Sequence, residues 1–136
     1  MNGRTGSNGE RHILITGASG GIGSAVALAL ADPATRLTLV ARDPTRLAAL
    51  AQRIAAKAAG VRVLSADLAA TPHFDGLIAV AVKEQGPIDV LVNCAGVNAF
   101  KRLADTEPAI VAAIVATNIL APMLLSRAVL PQMLER

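Results

Sequence analysis

Residues Thr16 to Gly23 read TGASGGIG and follow directly on the apolar run His12 to Ile15. A strand that breaks into a glycine-rich turn and then opens a helix brings bare backbone N–H groups against a pyrophosphate. Gly17, Gly21 and Gly23 each suit a place where a side chain would obstruct: a turn with positive φ, a close approach to phosphate, or tight packing of helix on strand. The spacing is T-G-x-x-x-G-x-G, with Val26 standing where a plain G-x-G-x-x-G would place its third glycine. A solvated glycine loop is the competing reading. The flanks favour a dinucleotide, because behind the turn Ile22, Val26, Leu28 and Leu30 sit among alanines in a helix-forming stretch that stops at Asp32-Pro33. No Lys-Ser/Thr pair follows, so the turn is not a P-loop.

Further candidates stand just after later apolar runs. Ala41-Arg42-Asp43 lies about 20 residues past the glycines, where a carboxylate would pair with the ribose 2′-OH of NAD. Ala41 holds the first slot, and Arg42 offers a forked guanidinium suited to the 2′-phosphate of NADP. NADP is therefore the expected cofactor, with NAD as the alternative if Asp43 takes the ribose. Asp67-Leu68 is either a turn or cap, or an acceptor for the adenine amino group. Asn93-Cys94-Ala95-Gly96 combines small residues, which let backbone pass close to a ligand, with an Asn able to bridge neighbouring strands. Pro122 has no N–H, so a helix through this segment leaves the Asn118 carbonyl without its usual donor, at a kink able to hold water.

These residues need a frame. Strands are expected at His12–Ile15, Leu37–Val40, Val61–Leu64 and Ile88–Val92, and helices at Pro44–Ala58, Thr71–Gln85 and onward from about Pro108. Short continuous apolar strands alternating with helices imply an α/β fold with a parallel sheet covered on both faces. Right-handed crossovers and the glycine motif after the first strand give a Rossmann-like, doubly wound sheet of order 3-2-1-4. Ligands of such sheets lie beyond the carboxyl ends of the strands, here between strands 1 and 4.

The three motifs together, the octapeptide, Asn93–Gly96 and Asn118, resemble the classical short-chain dehydrogenase/reductase family over His12 to Met133. The resemblance implies cofactor binding by Gly17, Ser19, Gly21, Ile22, Gly23, Arg42, Asp67, Leu68, Asn93, Ala95 and Gly96. The glycine turn would hold the diphosphate, Asp67 would touch adenine, and the Asn93 stretch would steady the sheet beside the nicotinamide ribose. Asn118 would support a proton relay. Cys94 stands where the family has a second Asn, which puts one hydrogen bond in doubt. The family's reaction is hydride transfer between nicotinamide and a small-molecule carbonyl or alcohol, with a Tyr-x-x-x-Lys pair and a serine. The chain has no tyrosine. Lys57, Lys83, Lys101, Ser65 and Ser126 have no matching partner, and His12 and His73 are expected to be solvated.

Domain and compartment follow from composition. Residues 11–136 are expected to form a single dinucleotide-binding domain lacking the catalytic part, with residues 1–10 a flexible tail. A hydrophobic share of 53% suffices for a core, while a net charge of +3 without a basic block gives no nucleic-acid surface. The lone Cys94 fits a reducing cytoplasm. No metal site is expected. Ala109 to Leu125, an apolar run that Thr117, Asn118 and Pro122 break, falls short of about 18 uninterrupted apolar residues and reads as a buried central helix, without membrane contact. The segment Val97 to Asp105, with Phe100, is either a wall of the substrate pocket or an exposed loop. Three roles fit: a truncated NADP-dependent oxidoreductase, homo-oligomeric when complete; a dinucleotide-binding module; or a partner completing another chain's sheet.

Overall fold

The computed structural model describes residues 9–70 and 73–136. The elements run β1 (Arg11–Thr16), α1 (Gly21–Leu30), β2 (Thr35–Ala41), α2 (Pro44–Ile54), β3 (Gly60–Ser65), α3 (Asp75–Gln85), β4 (Val90–Asn93), α4 (Pro108–Val115) and α5 (Ala121–Leu134). The strands pair in parallel in the order β3-β2-β1-β4. This is the doubly wound sheet that the alternation of apolar runs implies.

Alternation along β1 and β2 divides the core in two. Ile13, Ile15, Leu37 and Leu39 face one way, onto Ala27 of α1 and Leu47, Leu50 and Ile54 of α2. Leu14 and Val40 face the other, onto Ile78 and Ala81 of α3 and Ala121, Leu125 and Val129 of α5. Each fully buried Leu, Ile or Val contributes about 1.5–3 kcal/mol. With β1 in the middle, both cores press on the strand that carries the glycine turn.

Several expectations are corrected. His12 is buried, not solvated, at 2% exposure. Its Nδ1–H donates to the Gly86 carbonyl at 2.7 Å, which leaves Nε2 to accept from the Thr38 hydroxyl at 2.8 Å. Burial lowers its pKa below 6.5, and the Gly86 bond opposes that shift only in part. Helix α2 stops at Ile54 instead of Ala58, and β4 starts at Val90, with Ile88 buried just ahead of it. Thr71, expected to open α3, lies outside the described residues, as do residues 1–8 of the expected tail. Glu10 pairs with Arg36 at 2.6 Å.

The long helix differs most. It runs through the Asn118 segment as expected, but little of it is buried. Pro108–Leu134 is continuous over 27 residues because Ala116–Leu120 adopts a π turn, in which the Ala121 N–H reaches back to the Ala116 carbonyl. One widened turn takes up the misfit around Pro122 that would otherwise end the helix. By length and composition this helix is sufficient to cross a bilayer, and only 17% of its apolar stretch is buried. None of α4 is buried, whereas α5 buries Ala121, Leu125 and Val129. The other side exposes Ile119, Leu120, Met123, Leu130 and Leu134.

Candidate functional site

The site is built at the carboxyl ends of the strands. Gly17 follows β1 with φ of 65°, and the Gly20 N–H closes the turn onto the Gly17 carbonyl at 3.0 Å. A Cβ on Gly17 would sit 2.6 Å from the Ala95 Cα, so the turn lies directly against the loop after β4. A Cβ on Gly23 would overlap the Gly17 carbonyl, whereas one on Gly21 would meet nothing within 4 Å. The three glycines thus serve a left-handed turn, an open approach and a tight helix contact. Helix α1 has no side-chain cap and no acid in its first turn. Its first N–H groups, which have no intrahelical partner, are open to an anion.

Thr16 ties the two strands at this seam. Its hydroxyl accepts from the Ala95 N–H at 3.2 Å and lies 3.5 Å from the Val92 carbonyl. The bridging role expected of Asn93 therefore falls to Thr16; among the described residues the Asn93 side chain makes no hydrogen bond. Asn118 accepts from the Val97 N–H and donates to the Val97 carbonyl, both at 2.9 Å, so it fastens the loop after β4 to the π turn.

A cavity of about 490 Å³ opens here. It gathers Gly17, Ser19, Arg42, Asp67, Leu68, Ala95 and Gly96 from the expected set. Asn93 and Asn118 lie outside its lining, and so do Gly21, Ile22 and Gly23; Ile22 is 75% exposed. Cys94 and Val97, from stretches expected to border a ligand, join the lining, and so do Gly20, Ala41, Arg46, Ala66 and Thr117, which were not singled out as ligand residues. Arg46 had a signal in the sequence, since it stands three residues past the cap Asp43 and so on the first turn of α2. Asp43 uses one carboxylate oxygen to accept from the Thr45 and Arg46 N–H groups at 2.9 and 3.0 Å. The Ser65 hydroxyl donates to the Arg42 carbonyl at 3.0 Å and fixes the backbone at this corner. Phe100 is 97% exposed and makes no wall of this cavity, while Leu103–Asp105 forms a short 3-10 turn. Among the described residues no cluster of His, Cys, Asp and Glu could hold a metal.

Residues 11–136 match the family model described as short chain dehydrogenase. The chain belongs to the short-chain dehydrogenase family. Ketoacyl reductase HetN of Nostoc sp. is 38% identical over 126 residues, covering 91% of this chain and 43% of that protein. A metagenomic short-chain oxidoreductase solved with NADP superposes with a TM-score of 0.84 at 35% identity, covering 92% of this chain and 57% of that one. The 3-oxoacyl (acyl-carrier-protein) reductase of Agrobacterium tumefaciens C58, solved with NADP bound, gives 0.83 at 32% identity, covering 93% and 48%. This member of the family therefore spans about half the length of such relatives.

Proposed function

We propose that this chain supplies the dinucleotide-binding half of an NADP-dependent oxidoreductase acting on a carbonyl or alcohol. The observation that carries the reading is the glycine cradle at the seam of β1 and β4, opening into a cavity edged by Arg42. The N–H groups of Gly21, Ile22 and Gly23 hold the diphosphate together with Ser19, and Arg42 meets a 2′-phosphate. Asp67 and Leu68 lie against the adenine, and Asn93, Ala95 and Gly96 border the nicotinamide ribose. Bound there, the nicotinamide supplies or accepts hydride. Asn118, by fixing Val97, keeps this wall in place and leaves its own carbonyl beside Pro122 for a water in a proton relay.

A proton must reach the carbonyl oxygen as hydride arrives, and general acid catalysis contributes about 10²–10⁴-fold. No tyrosine occurs in the 136 residues. The acid therefore comes from outside this sequence, or the chain acts as a binding module without chemistry of its own. The buried side of α5 belongs to a core helix of a soluble, cytoplasmic protein, and its apolar outer side to contacts in an oligomer. Titration calorimetry with NADP⁺ tests the binding role, and NADPH oxidation with ketones and aldehydes tests the chemistry. We expect binding without turnover by the chain alone. Turnover by the purified chain would show that the proton donor has been misplaced, and failure to bind would remove the cradle reading.

A further inference from the structure

We propose that Gln132 and Arg136, at the end of α5 remote from the cavity, are positioning residues for the cavity wall at Val97, acting through α5 as a splint that fastens the β4 segment at both its ends. The splint itself stands on geometry; only its effect on a bound dinucleotide rests on the dinucleotide reading of the cavity.

Among the described residues β4 pairs with β1 alone, over Val90 to Asn93, so the strand depends on what holds its two ends. At the exit Asn118 takes both the N–H and the carbonyl of Val97. At the entrance the same is done to Ile88: the Gln132 Oε1 accepts from its N–H at 2.9 Å, and the Arg136 Nη2–H donates to its carbonyl at 2.7 Å. Ile88 is fully buried, and a buried N–H that loses its acceptor is costly. The Arg136 Nη1–H also donates to the Asp89 Oδ1 at 2.9 Å, while the Asp89 Oδ2 accepts from the His12 N–H at 2.8 Å, which ties the entrance to β1 as well.

Asn118, Ala121, Leu125, Val129, Gln132 and Arg136 recur at steps of three and four, so they share one helix face. Its middle is apolar and buried against the sheet, and its two ends are the polar fasteners. Asn118 and Gln132 lie about 20 Å apart along the axis. The chain from Ile88 to Val97 spans that length with room for a turn at Cys94, whose N–H donates to the Val92 carbonyl at 3.2 Å. A rod held at two points neither slides nor pivots, whereas a rod held at one does both. The wall has no slack for such movement, since a Cβ on Gly17 would already lie 2.6 Å from the Ala95 Cα.

The Ile88 and Val97 N–H groups are each accepted by a side chain, so their hydrogen exchange reports the two fasteners directly. Exchange is read at single residues on the full chain and its variants. Gln132→Ala should speed Val97 about fivefold or more, although Gln132 touches neither Val97 nor Asn118. By linkage, Asn118→Ala should speed Ile88 by the same factor. Gln132→Glu, which keeps an acceptor oxygen, should return Val97 close to its original rate, and Arg136→Ala gives the same readout if Gln132→Ala does not fold. Leu50→Ala weakens the core on the other side of the sheet and should leave Val97 unchanged. A Val97 rate that Gln132→Ala does not alter, or that Leu50→Ala raises as much, would overturn the splint, making Gln132 a local cap in the first case and a general stabiliser in the second. Calorimetry with NADP⁺ should show weaker binding by Gln132→Ala in step with the Val97 rate. If the unaltered chain binds no dinucleotide, that reading of the cavity falls, and the exchange rates still decide the splint.

Discussion

Gly21 and Gly23 are two residues apart and carry opposite demands. The space at Gly21 is open, whereas a methyl group at Gly23 would run into the Gly17 carbonyl, a backbone atom that moves only if the whole turn moves. Gly23→Ala should therefore lower stability by about 1–3 kcal/mol or more. Gly21→Ala should hold stability or raise it by up to about 1 kcal/mol through helix propensity, and weaken dinucleotide binding by crowding the diphosphate. Urea melts followed by circular dichroism, needed because the chain has neither Trp nor Tyr, and calorimetric titration check the two effects separately. A Gly21→Ala chain that binds as well as the unaltered one would place the diphosphate elsewhere. The sequence made all three glycines legible as a motif. Their ranking was not legible, because the atoms that crowd them, the Ala95 backbone at Gly17 and the Gly17 carbonyl at Gly23, reach those places only once the turn is folded against the loop after β4.

At the scale of elements, His12 joins β1 to Thr38 of β2 and to the turn at Gly86 that precedes β4. The neutral ring satisfies both partners, one as donor and one as acceptor. A proton on Nε2 would turn the acceptor into a second donor and place a charge in the core. The folded pKa lies below 6.5, so the unfolded chain takes up the proton first. The stabilising contribution is complete above pH about 6.5 and is lost as pH falls through the lower, folded value. Thermal melting should show a midpoint that drops from pH about 7 to about 5.5, a drop that His12→Leu, with no proton to bind, should not share. Equal pH dependence in the two proteins would assign the drop to other groups. Strands and helices were legible from apolar runs and from breakers such as Asp32-Pro33. The helix from Pro108 through the Asn118 kink was legible too, and a single widened turn accommodates Pro122; that most of it is exposed was not, because its apolar composition suits a core. Likewise, the alternation marks His12 as facing Leu14's side, but only the positions of Gly86 and Thr38 make an imidazole acceptable there.

For the whole molecule, the sheet order followed from right-handed crossovers and from the position of the glycine motif, and four strands lie as those rules require. What surrounds the last helix did not follow. Its composition suits burial, yet Met123, Leu130 and Leu134 are 66%, 47% and 80% exposed and lie along one open apolar groove with Pro122 and Pro131. A surface of this kind associates. Among the described residues, no strand pairs with the outer edge of β4 at the rim of the sheet. Size-exclusion chromatography with light scattering should show oligomers that grow with concentration. Met123→Glu combined with Leu130→Lys should shift them towards monomer. A monomer at all concentrations would count against the apolar face as a contact surface.

The seam of β1 and β4 has a kinetic side as well. Its ties, from Ala95 to Thr16 and from His12 to Gly86, join residues 79 and 74 positions apart, whereas β1 meets β2 from the register Arg11 to Thr35 onwards. Closing the longer loop costs more chain entropy, so contacts of that separation form late and slow the search. The part of the glycine cradle that rests on Ala95 should therefore be completed after the pairing of β1 with β2. A ligand that needs the cradle should then stabilise only chains in which the central pairing is complete.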